Sequence, residues 1–285
     1  MDVEALKGFV SKITKDDLSP DDVGNYDPEL VEQIFPICDA VLTTYFRSEV
    51  RGIENIPDGP ALIIGNHNAG ITFLEPFILG VEWYRKKGFA EPFHFIAHDA
   101  MVSIPVLKNF LIRCGAIRAN YENAYKVLDA GHKVAIFPGG NHEAFRSFRD
   151  RFKIDFGGHK GFAKVAIERN VPIVPEVNVG GHETFFVLTP GHKLAKLLRT
   201  DKILRSKTCA VSIALPFIIS VGPVFHFPLP AKTEIEIGPP IYPDKATAGI
   251  EDFDSKVDRL YEVTVDTLQK IMDGMARKRR FPVIG

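Results

Sequence analysis

A histidine inside a turn of small and polar residues is the strongest chemical signal in this 285-residue sequence. His67 lies in the run GNHNAG (65–70), which directly follows an apolar run at 61–64. An apolar run, a tight turn and an amphipathic segment predict strand, turn and helix. His67 would then stand at the carboxyl end of a buried strand, where open α/β sheets bind their ligands. Histidine suits proton abstraction near neutral pH, so His67 is a candidate general base. The structural alternative is a buried histidine hydrogen-bonded to the turn.

The elements that would position His67 alternate along the chain. Strand patterns at 93–97, 114–117, 134–137 and 171–179 alternate with helical patterns at 71–87, 105–112, 120–130 and 161–169. A further strand pattern at 233–237 precedes a long amphipathic helix at 251–276. Such alternation is typical of right-handed βαβ units. We therefore expect an α/β fold with a mostly parallel central sheet flanked by helices.

The first 50 residues form a separate organisational unit in the sequence. Residues 27–46 carry a helical apolar pattern ahead of an edge strand at 49–52. We expect an N-terminal helical element, 1–50, that either covers the core or lies on a membrane, followed by one α/β domain, 51–285.

Composition narrows the class of protein. The net charge of −1 gives no overall field that would attract nucleic acid. Cys38, Cys114 and Cys209 show no metal-type spacing and suit a reducing compartment. The longest stretch without Asp, Glu, Lys or Arg, Thr208–Ala231, contains four prolines, which argue against a spanning helix. The N-terminus lacks the apolar core of a secretory signal. We expect a cytoplasmic protein, soluble or attached to a membrane surface.

Metal binding is not expected. His94 and His98 would share one face of a strand, but the sequence offers no third ligand at a spacing typical of metal sites. This favours a structural role for both histidines. His132, His142 and His182 have the pattern of ordinary loop residues.

Three loops, at 65–70, 115–120 and 137–146, each follow a predicted strand. They hold most of the remaining polar residues that could belong to a functional site. Loops that follow parallel strands meet at one edge of the sheet, so these three could form a single site.

Four short blocks in these regions resemble, in order, the blocks of the glycerolipid acyltransferase superfamily, the lysophosphatidic-acid-acyltransferase-like (PlsC-type) proteins. The blocks are Asn66-His67, Gly115-Ala116-Ile117-Arg118, Phe137-Pro138-Gly139-Gly140 and Val171-Pro172-Ile173-Val174-Pro175. The resemblance runs from about Arg51 to Tyr242 and implies that family's α/β fold.

Two positions depart from the family pattern. The usual aspartate five positions after the histidine is replaced by Thr72, and the nearest carboxylate is Glu75. The usual glutamate after the proline of the third block is replaced by Gly139. These features resemble a sub-branch of diacylglycerol-acyltransferase-like proteins, which use neutral alcohol acceptors.

The resemblance implies an O-acyltransferase. His67 would take the proton from a lipid hydroxyl, which attacks the thioester of acyl-CoA or acyl carrier protein. These carriers would be co-substrates, and no further cofactor is expected. Glu75 would orient the imidazole; alternatively it only complements the helix dipole. Backbone N–H groups near 68–70 or 139–141 would receive the oxyanion.

The remaining candidates are expected to bind substrate: Asn66, Gly70, Arg118, Gly139, Gly140, Glu143, Arg146 and Lys160. Arg118 and Arg146 could bind a phosphate of the acceptor or of CoA, or simply brace loops. Glu143 could bind acceptor hydroxyls, and Lys160 could meet phosphate or cap a helix.

A basic and apolar stretch, 191–207, suits an anionic bilayer surface; the alternative is a solvated helix with its leucines in the core. The proline-rich stretch at 209–230 favours a membrane-facing rim with a groove for an acyl chain. We expect peripheral membrane association. Two rival functions stay open, a lipid esterase or thioesterase and a catalytically silent lipid-binding protein. The acceptor, chain length, donor carrier and oligomeric state are not specified by the sequence.

Overall fold

A computed structural model gives the fold of residues 3–67, 70, 74–99, 101–199, 208–213, 219–222 and 227–285. The strands are β1 (Glu49–Arg51), β2 (Ala61–Gly65), β3 (Phe93–Ala97), β4 (Ala116–Arg118), β5 (Lys133–Ile136), β6 (Ile173–Val179), β7 (Phe186–Thr189), β8 (Val211–Ile213), β9 (Ser220–Val221) and β10 (Glu234–Ile237). Asn68, Thr72 and parts of the 191–207 and 209–230 stretches lie outside the described residues.

The α-helices flank these strands. They are α1 (Val3–Lys15), α2 (Pro28–Ala40), α3 (Leu74–Lys87), α4 (Pro105–Arg113), α5 (Tyr121–Asp129), α6 (Gly140–Ala144), α7 (Gly161–Arg169), α8 (His192–Leu198), α9 (Pro243–Ala246) and α10 (Phe253–Lys278). No helix within the described ranges is both long and apolar enough to cross a bilayer.

The main sheet of the described chain has seven strands in the order β1-β10-β6-β2-β5-β3-β4. Neighbouring strands in it run parallel except β10 and β6, which pair antiparallel. The expected α/β fold with a mostly parallel, helix-flanked sheet is confirmed. The parallel strands β2, β5 and β3 direct their carboxyl ends, and the loops that follow them, toward one edge.

The core has one layer on each face of this sheet, because alternate residues of a strand point to opposite faces. Ala61 and Ile63 of β2 pack with α2 and α3 on one face. Leu62 and Ile64 pack with α5, α7 and α10 on the other. All five residues of β2 are buried, as expected for a central parallel strand.

The N-terminal helices pack against α4. Asp27, the N-cap of α2, accepts from Lys12 Nζ at 2.8 Å and from Arg113 Nη1 at 2.9 Å. Asn109 Nδ2 donates to the carbonyls of Ile13 and Asp16. These contacts tie the N-terminal helices to the α/β core, and the expected division between residues 50 and 51 stays a prediction.

A second, antiparallel sheet of β7, β8 and β9 was not predicted from the sequence. Its strands have only two to four residues each, too few for a periodic pattern to stand out. Val187 of this sheet packs with Phe185 and Ala210 against Ala144 and Phe145, at the end of α6.

Candidate active site

The turn after β2 is fixed by a pair of hydrogen bonds to β6. Asn66 Nδ2 donates to the carbonyl of Asn178 at 3.0 Å, and the Asn178 N–H donates to Asn66 Oδ1 at 2.9 Å. Both asparagines are buried. The asparagine side chain thus continues the β2–β6 pairing past Gly65 and holds His67 at the carboxyl edge of the sheet. Asn66 acts here on the backbone; its expected contact with substrate stays a prediction.

His67 meets a carboxylate from the first turn of α3. Its Nδ1 lies against Oε1 of Glu75, whose side chain is fully buried. Burial lowers the pKa of His67, but the Glu75 and Glu143 carboxylates outweigh it and raise the pKa above the ordinary 6.5. With Nδ1 donating to Glu75, Nε2 is the basic nitrogen of the neutral ring. This is the arrangement of an oriented general base.

The backbone of His67 is held from two further loops. Its N–H donates to Glu143 Oε2 at 2.9 Å, and its carbonyl lies 3.1 Å from His182 Nε2. Burial lowers the pKa of His182 to about 3, so the ring is neutral and donates through Nε2. The expectation that His182 is an ordinary loop residue was wrong: it follows the buried strand β6 and supports the backbone of His67.

The buried Glu143 carboxylate accepts hydrogen bonds from several donors. Arg146 Nη2 bonds its Oε1, and the Asp155 N–H donates to the same oxygen at 3.2 Å. The Glu143 side chain is fully buried, and burial raises its pKa against the opposing effect of Arg146. In this conformation Glu143 and Arg146 bind each other, so their expected contacts with acceptor hydroxyls and phosphate stay predictions.

A third buried carboxyl group was missed by the sequence reasoning. Glu176 pairs with Gly65 in the β2–β6 ladder and has no exposed surface. Neither carboxyl oxygen has a hydrogen-bond partner in the described structure. Burial, with Glu75 and Glu143 nearby, raises the pKa of Glu176 well above 4.5. The signal was present, since a glutamate inside the apolar run 173–177 has no place in an ordinary core strand.

Two of the candidate backbone donors are already engaged. The Gly70 N–H donates to the carbonyl of Ala144 at 2.9 Å, and the Gly140 N–H donates to that of Phe137 at 3.2 Å. Gly139 precedes α6 and lies directly against Glu143. Binding of substrate by these three glycines stays a prediction.

Arg118 and Lys160 belong to the outer part of this edge. Arg118 pairs with Asp21 at 3.2 Å and Asp99 at 3.4 Å, and Lys160 pairs with Asp258 at 2.7 Å. Both side chains keep about two-fifths of their surface exposed. Their expected contact with phosphate is untested by these pairings.

A cavity of about 550 Å³ opens at the carboxyl ends of β3, β4 and β5, and its lining does not include His67, Glu75 or Glu143. Its lining combines aliphatic and polar side chains and includes Ile96, Asn120, Ile136, Pro138, Lys160 and Phe162. The adjacent Phe137 ring lies 5.8 Å from the His67 ring. A volume of this size suits part of a large ligand. By contrast, an apolar cavity between α2 and α3 holds only about 40 Å³.

His94, the histidine of β3, has a structural role. His94 is buried, its Nδ1 lies 3.1 Å from the carbonyl of Gly115, and burial lowers its pKa to about 4. In the part of the chain that the structure describes, no three His, Cys, Asp or Glu side chains come together as a metal site.

Comparison with known proteins places this site in a family. The sequence model of the family described as Acyltransferase matches residues 47–178, which include β2, His67, Glu75 and Glu143. An uncharacterised protein of Mycobacterium tuberculosis (strain H37Rv) is 30% identical over 279 residues, 95% of this chain and 75% of the relative.

Two further similarities bear on the same conclusion. The mouse (Mus musculus) "DGAT1/2-independent enzyme synthesizing storage lipids" is 31% identical over 224 residues, 78% of this chain and 61% of that protein. The crystal structure of the 1-acyl-sn-glycerophosphate acyltransferase PlsC from Thermotoga maritima shares the fold, with a TM-score of 0.51 and 18% identity over 89% of this chain and 82% of that one. This chain belongs to the PlsC-type acyltransferase family.

Proposed function

We propose that this acyltransferase moves a fatty acyl group from the thioester of acyl-CoA, or of acyl carrier protein, to the hydroxyl of a lipid alcohol. The observation that carries the proposal is the contact between His67 Nδ1 and the buried Glu75 carboxylate at the carboxyl edge of the sheet. His67 Nε2 takes the hydroxyl proton as the acceptor oxygen attacks the thioester carbonyl. Collapse of the tetrahedral intermediate expels the thiolate, which leaves as a thiol with that proton.

The surrounding residues are assigned positioning roles. Glu75 holds the imidazole in the tautomer that presents Nε2 and stabilises the imidazolium once the proton has moved. Glu143 and His182 fix the His67 backbone through the hydrogen bonds described above. The cavity beside Pro138 is the space we assign to a substrate, because it opens at the same edge as His67.

A neutral lipid alcohol is the proposed acceptor. The three cations that were expected to bind phosphate already have carboxylate partners. Arg146 pairs with Glu143. Arg118 pairs with Asp21, and Lys160 pairs with Asp258. A phosphate would have to compete with these partners, whereas an uncharged alcohol would not. The mouse relative is named as an enzyme that synthesises storage lipids, and such a product is in keeping with a neutral acceptor.

The test is acyl transfer from radiolabelled palmitoyl-CoA to lysophosphatidate, monoacylglycerol, diacylglycerol or a long-chain alcohol, presented in liposomes. Wild type, His67→Gln and the matched control His132→Gln, at the opposite edge of the sheet, are compared. We expect product with wild type and His132→Gln only, and with a neutral acceptor. Release of free palmitate without any acyl product would identify a thioesterase. Equal activity of His67→Gln would refute the assigned base.

A further inference from the structure

Glu176 lies on the same face of the main sheet as Glu75. In the ladder it stands opposite Gly65 of β2 and Ile237 of β10, so β6 has a neighbouring strand on each side at this point. Its side chain points to the face covered by α2 and α3, because Val174, two positions earlier, packs in that layer of the core. The first turn of α3 brings the buried Glu75 to this face. Glu176 thus shares one side of the sheet with the carboxylate that contacts the candidate base.

The room for the Glu176 carboxyl group comes from the absence of a side chain at position 65. An ideal Cβ on Gly65 would lie 1.8 Å from Glu176 Oε2 and 3.0 Å from Phe137 Cε1. The carboxyl group and the Phe137 ring therefore border the same small space. The centre of the Phe137 ring in turn lies 5.8 Å from that of His67. A charge on Glu176 would consequently act on the candidate active site through a short, largely apolar path.

Glu176 lacks the donors that the two neighbouring carboxylates have. Glu75 contacts His67 Nδ1. Glu143 accepts from the His67 N–H and from Arg146. Neither oxygen of Glu176 has a hydrogen-bond partner in the described structure, and its side chain is fully buried. A carboxylate buried without a donor is strongly destabilised. Burial, with the charges of Glu75 and Glu143, raises the pKa of Glu176 well above 4.5, so this is the carboxyl group that keeps its proton.

The charged and titratable groups of this region come from four of the surrounding elements. They are His67 after β2, Glu75 of α3, Glu143 and Arg146 of the α6 segment, and His182 after β6. From β10, Glu236 points to the opposite face, because Ile235 and Ile237 occupy this one. Burial lowers the pKa of His182 to about 3 and keeps its ring neutral. With Glu176 protonated, the region holds two carboxylates and one guanidinium, and the imidazolium formed during the reaction balances the second carboxylate. An ionised Glu176 would add a third carboxylate with no cation of its own.

We propose that Glu176 is a positioning residue whose proton keeps Glu75 against His67 Nδ1, and that loss of this proton inactivates the enzyme on the alkaline side of its pH profile. An ionised Glu176 repels the Glu75 carboxylate and displaces it from the imidazole, because like charges repel strongly where water is excluded. The imidazole then loses the partner that fixes its tautomer. This role rests on the proposed function, since the rate that Glu176 controls is that of acyl transfer.

The first test is the pH profile of kcat/KM for acyl transfer from palmitoyl-CoA to a neutral acceptor. We expect wild type to lose activity along an alkaline limb by about tenfold per pH unit, the slope of one ionising group. Glu176→Gln has the same shape and no proton to lose, and Glu176→Met is an apolar replacement of similar volume. Both should keep most of the wild-type activity at neutral pH and lose the alkaline limb, so that they exceed wild type at higher pH.

A purely structural role of Glu176 gives a different result. It would lower the activity of Glu176→Gln by the same factor at every pH and leave the alkaline limb in place. Glu122→Gln, which alters a glutamate with 79% of its side chain exposed, is the matched control and should keep the wild-type profile.

The second test needs no turnover. Infrared difference spectra recorded across the alkaline limb should show the C=O stretch of a protonated carboxylic acid disappear in wild type and in Glu122→Gln. Glu176→Gln should show no such change. This signal reports the Glu176 proton whichever acceptor the enzyme uses, so a failure of the proposed function and a failure of the Glu176 assignment are distinguishable.

Three results would overturn the proposal. The first is an alkaline limb in Glu176→Gln and Glu176→Met at the wild-type position. The second is a wild-type profile without an alkaline limb up to the pH at which the protein unfolds. The third is an infrared signal of a protonated carboxyl group that is absent from wild type or unchanged in Glu176→Gln.

Discussion

Glu143 occupies the space into which a side chain at position 139 would project. An ideal Cβ built on Gly139 would lie 2.1 Å from Glu143 Cγ and 2.4 Å from Cδ, well inside van der Waals contact. The family resemblance leads one to expect a glutamate at position 139, and in this chain the carboxylate comes from position 143 instead. The absence of a side chain at 139 is thus what allows Glu143 to reach the His67 N–H.

Gly139→Ala should therefore damage the site without removing any functional group. Glu143 is fully buried and bound by three donors, so it has little room to yield. We expect a destabilisation of about 1–3 kcal/mol, typical of overpacking, and a loss of most acyl-transfer activity. Thermal unfolding and the palmitoyl-CoA assay measure the two effects.

The control is Gly274→Ala in α10, where an added Cβ meets nothing within 4 Å. Alanine there should be neutral or stabilising by up to about 1 kcal/mol, because glycine disfavours a helix interior. Gly139→Ala with wild-type stability and turnover would show that Glu143 is not held where the structure places it.

Glu75 should set the pH dependence of the reaction. Burial lowers the pKa of His67, while Glu75 and then Glu143 raise it above 6.5. Only the neutral imidazole accepts a proton, so kcat/KM of wild type should fall as the pH drops through that raised pKa. In Glu75→Gln the principal raising charge is gone, and the acidic limb should move to lower pH. The maximal rate should fall by about 10²–10⁴, the usual contribution of acid–base catalysis.

Glu82→Gln, two turns further along α3, is the matched control and should keep both the rate and the limb of wild type. An acidic limb that stays in place in Glu75→Gln would mean that Glu75 does not control the protonation of His67, whatever happens to the rate.

The fold could be predicted from local patterns because the residues of each βαβ unit are contiguous in the sequence. In the structure, β3 and α7 begin and end at the residues predicted from the sequence, 93–97 and 161–169. The helical pattern that begins at Asn120 also has a local cause, since Asn120 is the N-cap of α5 and its Oδ1 accepts from Asn123 N at 2.7 Å. These features depend on side chains within a few residues of each other.

The buried carboxyl groups could not be placed in the same way. Glu176 meets the site only because the β2–β6 register sets it opposite Gly65, more than a hundred positions earlier. His182 reaches the His67 carbonyl by the same long-range alignment. The small sheet was missed for a different reason, since its strands have only two to four residues each, too few for an alternating pattern to be recognised.

Glu176 should make stability depend on pH. Its folded-state pKa is raised well above the 4.5 of an ordinary glutamate, chiefly by burial. The folded protein therefore keeps a proton that the unfolded chain releases, and the free energy of unfolding should decrease as the pH rises above 4.5 toward the raised pKa of the folded state. Glu176→Gln, which has the same shape and no titrating proton, should lose this component of the decrease. The swap itself should cost less than about 1.5 kcal/mol.

Denaturant unfolding at several pH values measures this difference, with the exposed Glu122→Gln as the control that keeps the wild-type slope. A steeper decrease in Glu176→Gln than in wild type would contradict a protonated Glu176.

Gly65→Ala adds a geometric check, because its Cβ would lie 1.8 Å from Glu176 Oε2. Its destabilisation should be largely relieved in the double variant Gly65→Ala, Glu176→Ala.

Arg146 should act on Glu143 rather than on a substrate phosphate. Its side chain is only 10% exposed and bonds the fully buried Glu143 carboxylate. Arg146→Gln would leave that carboxylate without its cation, which should cost about 3–5 kcal/mol in the free energy of unfolding. The double variant Arg146→Gln, Glu143→Gln should recover much of the loss, because the pair is then neutral. Exposed Arg149→Gln is the control. If Arg146→Gln instead kept full stability and raised only the KM for a phosphate-bearing acceptor, Arg146 would belong to the substrate site and the neutral acceptor proposed above would be wrong.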